Sequence, residues 1–315
     1  MDTVIGIDIG GTNLRIGYVD EAGTIFGFEK KFIHVLVLHA RCARVLKEDI
    51  VSDLEQKIAA YIREHDLQKS CRAVAIGVPS SVSKNKSFIY STPNLPGLNN
   101  IDLGGILHER LRLPVFIDRD VNYLLNNDIR EYQLDEAKQK NIIGIYVGTG
   151  IGNALYINGG FYTGKNGVAG ELGHIPMLGS QAVCGCGNIG CSETVASGRY
   201  LEKMCKENFP EIDIKEIFVK RSDHPLVQDF LKTLGYVVAT EINIIDPDYV
   251  ILSGGVLAMQ GFPMETLMTF MRRHIRAPYP HDNIEFIYPE HTQESGVRGG
   301  ALLAFEKLKS NVKFV

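Results

Sequence analysis

One histidine and three cysteines lie close together in the stretch HIPMLGSQAVCGCGNIGC, which runs from residue 174 to residue 191. This stretch offers one imidazole and three thiolates, the ligands of a closed tetrahedral zinc site. The intervening glycines let the backbone bend around an ion, since glycine adopts positive φ at little steric cost. The spacing differs from that of common zinc fingers, so small buried thiols in a glycine-rich loop remain the alternative. The predicted ligands of a structural zinc ion are His174, Cys184, Cys186 and Cys191.

Two glycine-rich turns follow apolar runs, DIGGT from Asp8 and VGTGIG from Val147. Such turns expose backbone N–H groups, so we expect them to grip the β- and γ-phosphates of ATP. Asp8 is expected to hold Mg²⁺ through water, because Mg²⁺ keeps its waters and takes few carboxylates. A third pair, Gly254 and Gly255, can let an adenine ring lie against bare backbone. Taken singly, each turn is more typical of an ordinary hairpin. The predicted nucleotide site comprises Asp8, Gly10, Gly11, Thr12, Asn13, Gly148, Thr149, Gly150, Gly152, Gly254 and Gly255.

The surrounding pattern indicates the strands and helices that position these residues. TVIGIDIGGTNLRIGYVDEAGTIFGFE predicts a meander of three short strands around the first turn, and NIIGIYVGTGIGNALYINGGFYTG repeats that pattern around the second. We infer an internal duplication, with two α/β lobes that each open with a glycine-turned hairpin. The segment 32–49 lacks clean periodicity. Further strands are predicted within 72–80, 113–118 and 248–256, and helices over 50–66, 102–111, 225–245, 262–276 and 296–309.

Composition and charge exclude several classes of protein. The chain has 315 residues, of which 45% are hydrophobic and 22% are charged, and its net charge is −4. These values indicate a globular protein without an electrostatic footprint for nucleic acid or an anionic membrane. No stretch is apolar enough to span a bilayer, and Asp8 interrupts the first apolar run, unlike a signal peptide. We therefore expect a soluble cytoplasmic protein, in which clustered cysteines favour metal binding over disulfides.

Eight motifs follow one another along the chain: IGIDIGGTNLRIG, GVPSSVS, STPNLPG, DRDVN, GTGIGNAL, GVAGELGHIP, CGCGNIGCSET and ILSGGV. In these motifs the sequence resembles the ROK family of bacterial sugar kinases over nearly its whole length. The resemblance implies an α/β fold of the actin/hexokinase type, a ribonuclease H-like ATPase fold with two lobes. It also implies a zinc ion, MgATP-dependent phosphorylation of a hexose, commonly at the 6-hydroxyl, and in many members a homodimer.

The expected lobes follow from this resemblance. The first comprises residues 1–120, with the C-terminal helix at 300–315 packing back on it. The second comprises residues 121–299 and carries the zinc-binding loop. ATP and sugar are expected to meet in the cleft between the lobes, where closure would exclude water.

The resemblance also assigns residues to the reaction. Asp120, in DRDVN, resembles the family's catalytic base, which accepts the proton of the attacking sugar hydroxyl. Asp118 or Asp120 is also expected to start a helix, and an aspartate there is typical of an N-cap. Without the resemblance, Asn94 would be assigned to a turn between two prolines, and Glu171 and Glu193 would be assigned to the protein surface. The residues expected at the sugar are Asn94, Arg119, Glu171, His174 and Glu193.

The predicted zinc ion has a consequence for the sugar site. Glu171 precedes His174 by three residues, and Glu193 follows Cys191 by two. A metal bound to these ligands would fix both glutamates relative to each other. It would stay outside the reaction itself and replace packing that a glycine-rich loop cannot supply.

Two positions depart from the family pattern. Glucose-type members usually carry asparagine immediately before the base, where this chain has Arg119. A neutral amide is thereby replaced by a cation with five donors and no acceptor, which predicts an altered preference at the sugar ring. IYSTPNLPG and DRDVN resemble members that phosphorylate D-allose, the C3 epimer of glucose. The alternative is that Arg119 points to solvent or pairs with a carboxylate. Asn153 replaces a frequent glycine and affects only the expected nucleotide geometry.

Other functions compete with an allose kinase. Within the family, glucokinase, N-acylmannosamine kinase and fructokinase are alternatives. A sugar-sensing repressor of the same family should carry an N-terminal helix-turn-helix, whereas here a strand is predicted from residue 3. An actin-like filament protein has no need for glutamates held by a metal. The leading hypothesis is an ATP-dependent hexose kinase.

Overall fold

The chain divides into two units in the computed structural model, which describes residues 1–10, 13–32, 47–92, 96–134 and 139–310. The first unit contains Met1–Gln133, Thr163–Ala169 and Thr292–Val315, and the second contains Leu134–Tyr162 and Gly170–His291. None of the helices in the described ranges combines the length and the apolar character that a bilayer crossing requires.

Both units contain strands and helices. The strands are β1 (Thr3–Ile9), β2 (Asn13–Asp20), β3 (Ile25–Phe32), β4 (Cys71–Val78), β5 (Ser81–Val82), β6 (Ile89–Ser91), β7 (Val115–Arg119), β8 (Ile142–Val147), β9 (Ile151–Ile157), β10 (Gly160–Phe161), β11 (Tyr249–Ser253) and β12 (Glu285–Ile287). The helices are α1 (Lys47–Glu64), α2 (Leu103–Leu111), α3 (Asp120–Glu131), α4 (Glu193–Ala196), α5 (Gly198–Asn208), α6 (Ile217–Arg221), α7 (Pro225–Ile245), α8 (Met264–Arg272) and α9 (Ser295–Lys309).

The main sheets of the two units share one topology. The described strands of the first unit are ordered β3-β2-β1-β4-β7, and those of the second are ordered β10-β9-β8-β11-β12. In each sheet three strands form an antiparallel meander, and two further strands run parallel to the central one. This repetition confirms the predicted duplication, with a glycine-containing turn after the central strand of each sheet.

The sequence periodicity located most elements, and proline accounts for two differences. Helix α7 spans 225–245 as predicted and ends where Asp246 adopts a left-handed conformation. The helix predicted over 262–276 begins later, at Met264, because Pro263 occupies the N-cap position of α8, and it ends at Arg272. Strand β7 begins directly after Pro114, which has no N–H to donate to a neighbouring strand. Most of the segment 32–49, which had no clean periodicity, lies outside the described residues.

The first unit extends past the boundary expected at residue 120 and takes in a segment from the middle of the chain. Helix α3 belongs to it because this helix packs against α9 and β4. The segment Thr163–Ala169 belongs to it because Gly167 lies directly against the β5 region. A Cβ atom at Gly167 would lie 2.3 Å from the carbonyl oxygen of Val82, so this approach requires glycine.

The contact between α3 and α9 depends on glycine in the same way. A Cβ atom at Gly299 would lie 1.8 Å from the carbonyl oxygen of Tyr123, and one at Gly300 would lie 2.6 Å from the Tyr123 ring. Asn126 donates a hydrogen bond of 2.9 Å from Nδ2 to the carbonyl oxygen of Gly299. The tyrosine is almost completely buried. Glycine inside a helix costs about 1 kcal/mol relative to alanine, so its benefit here lies in close packing.

We expect Gly299→Ala to lower the free energy of unfolding by about 3 kcal/mol, because backbone atoms of α3 cannot yield to the new methyl group without moving the helix. Urea unfolding followed by circular dichroism measures this change. Gly160→Ala is the matched control, since a Cβ atom there meets no described atom within 4 Å. Equal stability of the two variants would contradict the packing argument.

Candidate active site

The turn between β1 and β2 carries the first predicted nucleotide residues. Asp8 lies opposite Arg15 in the β1–β2 ladder, and Arg15 donates from Nη1 to Oδ2 of Asp8 over 2.6 Å. The backbone N–H of Gly10 donates to the carbonyl oxygen of Asn13 over 2.9 Å, which closes the turn. Burial raises the pKa of Asp8, although the charge of Arg15 opposes this effect. Gly11 and Thr12 lie outside the described residues.

Asp120 is the first residue of α3 and follows β7 directly. Its Oδ1 accepts a hydrogen bond of 2.9 Å from the backbone N–H of Val121. Burial, together with the negative charge of Asp8, raises the pKa of Asp120 to about 6. The N-cap position is occupied by Arg119, not by Asp118 or Asp120, and the side chain of Arg119 makes no capping hydrogen bond. A carboxyl group with a pKa near neutrality can exchange a proton with substrate under ordinary conditions.

Arg119 is buried at the end of β7. Its side chain is turned away from solvent, and Nη1 donates a hydrogen bond of 2.7 Å to the carbonyl oxygen of Ala169. Ala169 ends the segment of the first unit that leads into Glu171. Arg119 therefore anchors the main chain just before the GELGH motif.

Asp118, one of the two aspartates predicted to start this helix, has a different role in the structure. It is 2% exposed and accepts hydrogen bonds from the backbone N–H of Arg119, from Asn122 Nδ2 and from Lys86 Nζ. Lys86 is a residue that the sequence analysis did not single out. It lies in a turn 32 residues before Asp118, and no local pattern indicates this pairing.

The second unit brings its two glycine turns together around the end of β8. Gly254 has φ of +113°, and a Cβ atom there would lie 2.5 Å from the carbonyl oxygen of Val147. The Gly148 N–H donates to the carbonyl oxygen of Gly150 over 3.0 Å. At Gly148 and Gly255 a Cβ atom would meet no described atom within 4 Å, so open space lies beside both turns. Thr149 is exposed at the tip of its turn, whereas Gly152 lies within β9.

Asn153 is buried and forms hydrogen bonds in the interior of the second unit. It is 0% exposed, and its Nδ2 donates to the carbonyl oxygen of Gly144 and to Oε2 of Glu241 on α7. Burial raises the pKa of Glu241 to about 8, although the hydrogen bond from Asn153 opposes the shift. The side chain that was expected to affect nucleotide geometry therefore joins β9 to a helix.

The four predicted metal ligands converge in the structure. The ligand atoms of His174, Cys184, Cys186 and Cys191 all lie within 4.8 Å of one another. His174 Nδ1 lies 3.6 Å from Cys184 Sγ, and the sulfur atoms of Cys186 and Cys191 lie 3.7 Å apart. Ligands at tetrahedral zinc, with bonds of about 2.3 Å, are separated by about 3.8 Å. The donor set therefore fits a structural zinc ion in both type and spacing.

The pKa values of the three cluster thiols shift in different directions, and although burial opposes the change, hydrogen bonds lower the pKa of Cys186. Burial raises the pKa of Cys184, and the nearby carboxylate of Glu193 adds to this effect. Burial likewise raises the pKa of Cys191. Thiols in such surroundings stay protonated unless a cation compensates the charge of the thiolate.

Both predicted sugar-binding glutamates contact the cluster. Oε1 of Glu193 accepts a hydrogen bond of 3.1 Å from Cys184 Sγ, and Oε2 of Glu171 lies 3.7 Å from His174 Nε2. A Cβ atom at Gly150 would lie 2.6 Å from Oε2 of Glu193, so this carboxylate also abuts the glycine turn. In the second unit, the cluster, both glutamates and the glycine turn at Gly150 therefore lie next to one another. Asn94 lies outside the described residues.

Known proteins resemble this chain over almost its whole length. The sequence profile of the ROK family matches residues 4–307. A glucokinase from Halalkalibacterium halodurans is 27% identical, over 98% of this chain and 97% of that protein. An N-acetyl-D-glucosamine kinase from Photobacterium profundum is 28% identical, over 96% of this chain and 99% of that protein.

A solved structure extends this similarity to the fold. It is the crystal structure of a ROK family glucokinase from Streptomyces griseus in complex with glucose and AMPPNP. Its TM-score is 0.76 at 26% identity, over 96% of this chain and 99% of that one. The predicted hexokinase-like α/β fold is confirmed by this similarity. Because the family profile spans nearly the entire sequence, the chain belongs to the ROK family.

Proposed function

We propose that this ATP-dependent sugar kinase transfers the γ-phosphoryl group of ATP to the 6-hydroxyl of a hexose, with Asp120 as general base. The observation that carries the proposal is the environment of Asp120, a carboxyl at the end of a strand with a pKa of about 6. The hydroxyl oxygen forms a bond to the γ-phosphorus as the bond to the β-phosphate oxygen breaks. Asp120 accepts the hydroxyl proton, and ADP leaves.

The glycine turns support binding of the triphosphate. Gly148 and Gly255 border open space, and the backbone of such turns can approach phosphate oxygens closely. A bound Mg²⁺ ion would neutralise phosphate charge. Asp8 suits the orientation of its water ligands, since Mg²⁺ requires few carboxylates.

D-allose is the hexose that we propose as the preferred substrate. Arg119 carries donors only, and it lies immediately before the base where an amide would offer an acceptor. A hydroxyl that depends on that acceptor loses a hydrogen bond, which disfavours glucose relative to its C3 epimer. Glu171 and Glu193 are the proposed acceptors for other sugar hydroxyls.

A zinc ion held by the four-residue cluster is part of the proposal. It would be bound by His174, Cys184, Cys186 and Cys191 and would supply rigidity to the loop. The contacts of Glu193 with Cys184 and of Glu171 with His174 support a role in orienting both carboxylates.

Glucose, N-acylmannosamine or fructose as the preferred substrate is the second candidate. The similarity to a glucokinase favours glucose among these sugars, because that relative aligns over almost the full chain. A sugar-responsive regulator is a weaker alternative, because a protein that transfers no proton does not need an aspartate with a raised pKa.

Asp120→Asn should lower kcat by about 10²–10⁴-fold while sugar binding survives, because the amide cannot accept the hydroxyl proton. For the wild type, we expect kcat/KM to fall about tenfold per pH unit below pH 6, where the base becomes protonated, and to level off above it. A coupled ADP-release assay measures the rates, and calorimetry measures sugar binding.

Asp66→Asn is the matched control, because Asp66 is exposed and its positive φ also suits asparagine. Near-normal turnover of the Asp120 variant would assign the base to another residue.

In the same assay, D-allose should give a higher kcat/KM than glucose, mannose, N-acetylmannosamine, N-acetylglucosamine or fructose. Arg119→Asn should restore an acceptor and shift the ratio of the allose and glucose values toward glucose by about tenfold. A wild-type preference for glucose of about tenfold or more would overturn the argument from Arg119.

Elemental analysis of the purified protein should find one zinc ion per chain. Cys186→Ser should lower both zinc content and sugar affinity, because loss of one thiolate loosens the loop that carries the glutamates. Cys205→Ser, at a buried thiol outside the cluster, should leave zinc content unchanged. Wild-type protein without zinc, or a Cys186 variant that retains it, would argue for simple buried thiols.

A further inference from the structure

The segment around Asp120 is held from both sides by one buried carboxylate. Asp118 accepts hydrogen bonds from the Arg119 N–H over 2.8 Å and from Asn122 Nδ2 over 2.7 Å. Because Asn122 lies in the first turn of α3, these bonds span Asp120. The orientation of the proposed base therefore depends on the position of Asp118.

Lys86 is the cation that forms a hydrogen bond with Asp118. Its Nζ lies 2.8 Å from Oδ1 of Asp118, with side-chain exposures of 13% and 3% respectively. The main chain of Lys86 adds a second link, since its carbonyl oxygen accepts from the Ile117 N–H over 2.8 Å. One residue of the β5–β6 turn thus holds the end of β7 through both side chain and backbone.

The backbone of Lys86 is itself unusual. Lys86 has φ of +64°, a conformation that favours glycine and is uncommon for a long side chain. Strained positions of this kind persist where the surrounding contacts over-determine them, and they cluster at functional sites. The contacts of Lys86 with Asp118 and Ile117 can hold its backbone in this conformation.

A second lysine acts at longer range. Lys307 Nζ lies 5.2 Å from the centre of the Phe116 ring, and among the described residues this buried amine has no hydrogen-bond partner. Burial alone would raise the pKa of Asp118, but the charges of Lys86 and Lys307 outweigh it and lower the pKa. Of these two cations, only Lys86 is hydrogen-bonded to Asp118, so loss of its amine removes a directional contact that Lys307 does not replace.

We propose that Lys86 is a positioning residue for the phosphoryl transfer, which acts through its ion pair with Asp118 to fix the orientation of Asp120. This inference rests on the proposed role of Asp120 as base. A misplaced base slows the chemical step without removing substrate contacts, since catalysis depends on alignment of the reacting groups. Lys86 would therefore affect kcat and leave both KM values nearly unchanged.

The test compares Lys86→Met, Lys86→Arg and Lys86→Gly with the exposed neighbour Lys84→Met. The assay measures kcat and KM for ATP and for the best hexose of the panel. We expect Lys86→Met to lower kcat about tenfold or more with KM values within about twofold of wild type. Lys86→Arg should recover most of the rate because it retains the charge, and Lys84→Met should match wild type.

Lys86→Gly removes the amine with little risk of misfolding, because glycine readily adopts the positive φ of this position. It should show the same loss of kcat as Lys86→Met. Wild-type kcat in a folded Lys86→Gly protein would overturn the proposal, as would higher KM values with unchanged kcat.

A double variant separates this inference from the proposal on which it rests. In the Asp120→Asn background, Lys86→Met should cause little further loss, because the group that it positions is absent. A full additional loss there would show that Lys86 acts independently of Asp120. If Asp120→Asn alone keeps near-normal turnover, the proposed base fails. If the turnover of Asp120→Asn collapses while Lys86→Met and Lys86→Gly both keep wild-type kcat, only the positioning role fails.

Discussion

Partial or complete burial of acidic side chains at the ends of β1 and β7 is the constraint on which the first unit depends. Asp8, Asp118 and Asp120 all lie there, and each ionised carboxylate removed from water requires a cation or hydrogen-bond donors. Arg15 meets this need for Asp8, and Lys86 meets it for Asp118. Burial and the negative charge of Asp8 raise the pKa of Asp120, and the hydrogen bond from the main-chain N–H of Val121 opposes this shift, whereas the pKa of Asp118 is lowered. Different environments thus give neighbouring carboxyl groups different chemistry.

Close packing of α3 keeps these charges in place. The helix begins with Asp120 itself, so any movement of the helix moves that carboxylate. Gly299 allows backbone contact between α9 and α3, and the buried ring of Tyr123 fills the adjoining space. Helix α9 is distant in sequence from Asp120, yet its packing against α3 helps to fix the position of that residue.

The second unit positions its glycine-rich loop, residues 174–191, with little apolar packing, and the side chains of Leu178, Val183 and Ile189 are exposed. Its glycine-rich loop is held by backbone bridges and by four soft ligand atoms that converge on one point. Glu171 and Glu193 each contact one member of that cluster, and Glu193 also abuts Gly150. A change at the cluster therefore affects both glutamates and one glycine turn, which explains why these features occur together.

The sequence by itself determined most strands, the glycine turns, the duplication and the types of the four clustered ligand residues, because these depend on local spacing and on chemistry that each residue carries with it. The agreement of α7 with its predicted bounds and the convergence of His174 with three cysteines show how far such signals reach. Tertiary structure alone decided the partners of Arg119, Asn153 and Asp118, which are Ala169, Glu241 and Lys86. The reason is that desolvation and pairing depend on groups brought together from distant parts of the chain. No local pattern records which cation will lie beside a buried carboxylate, or that a residue expected near nucleotide will point into the core.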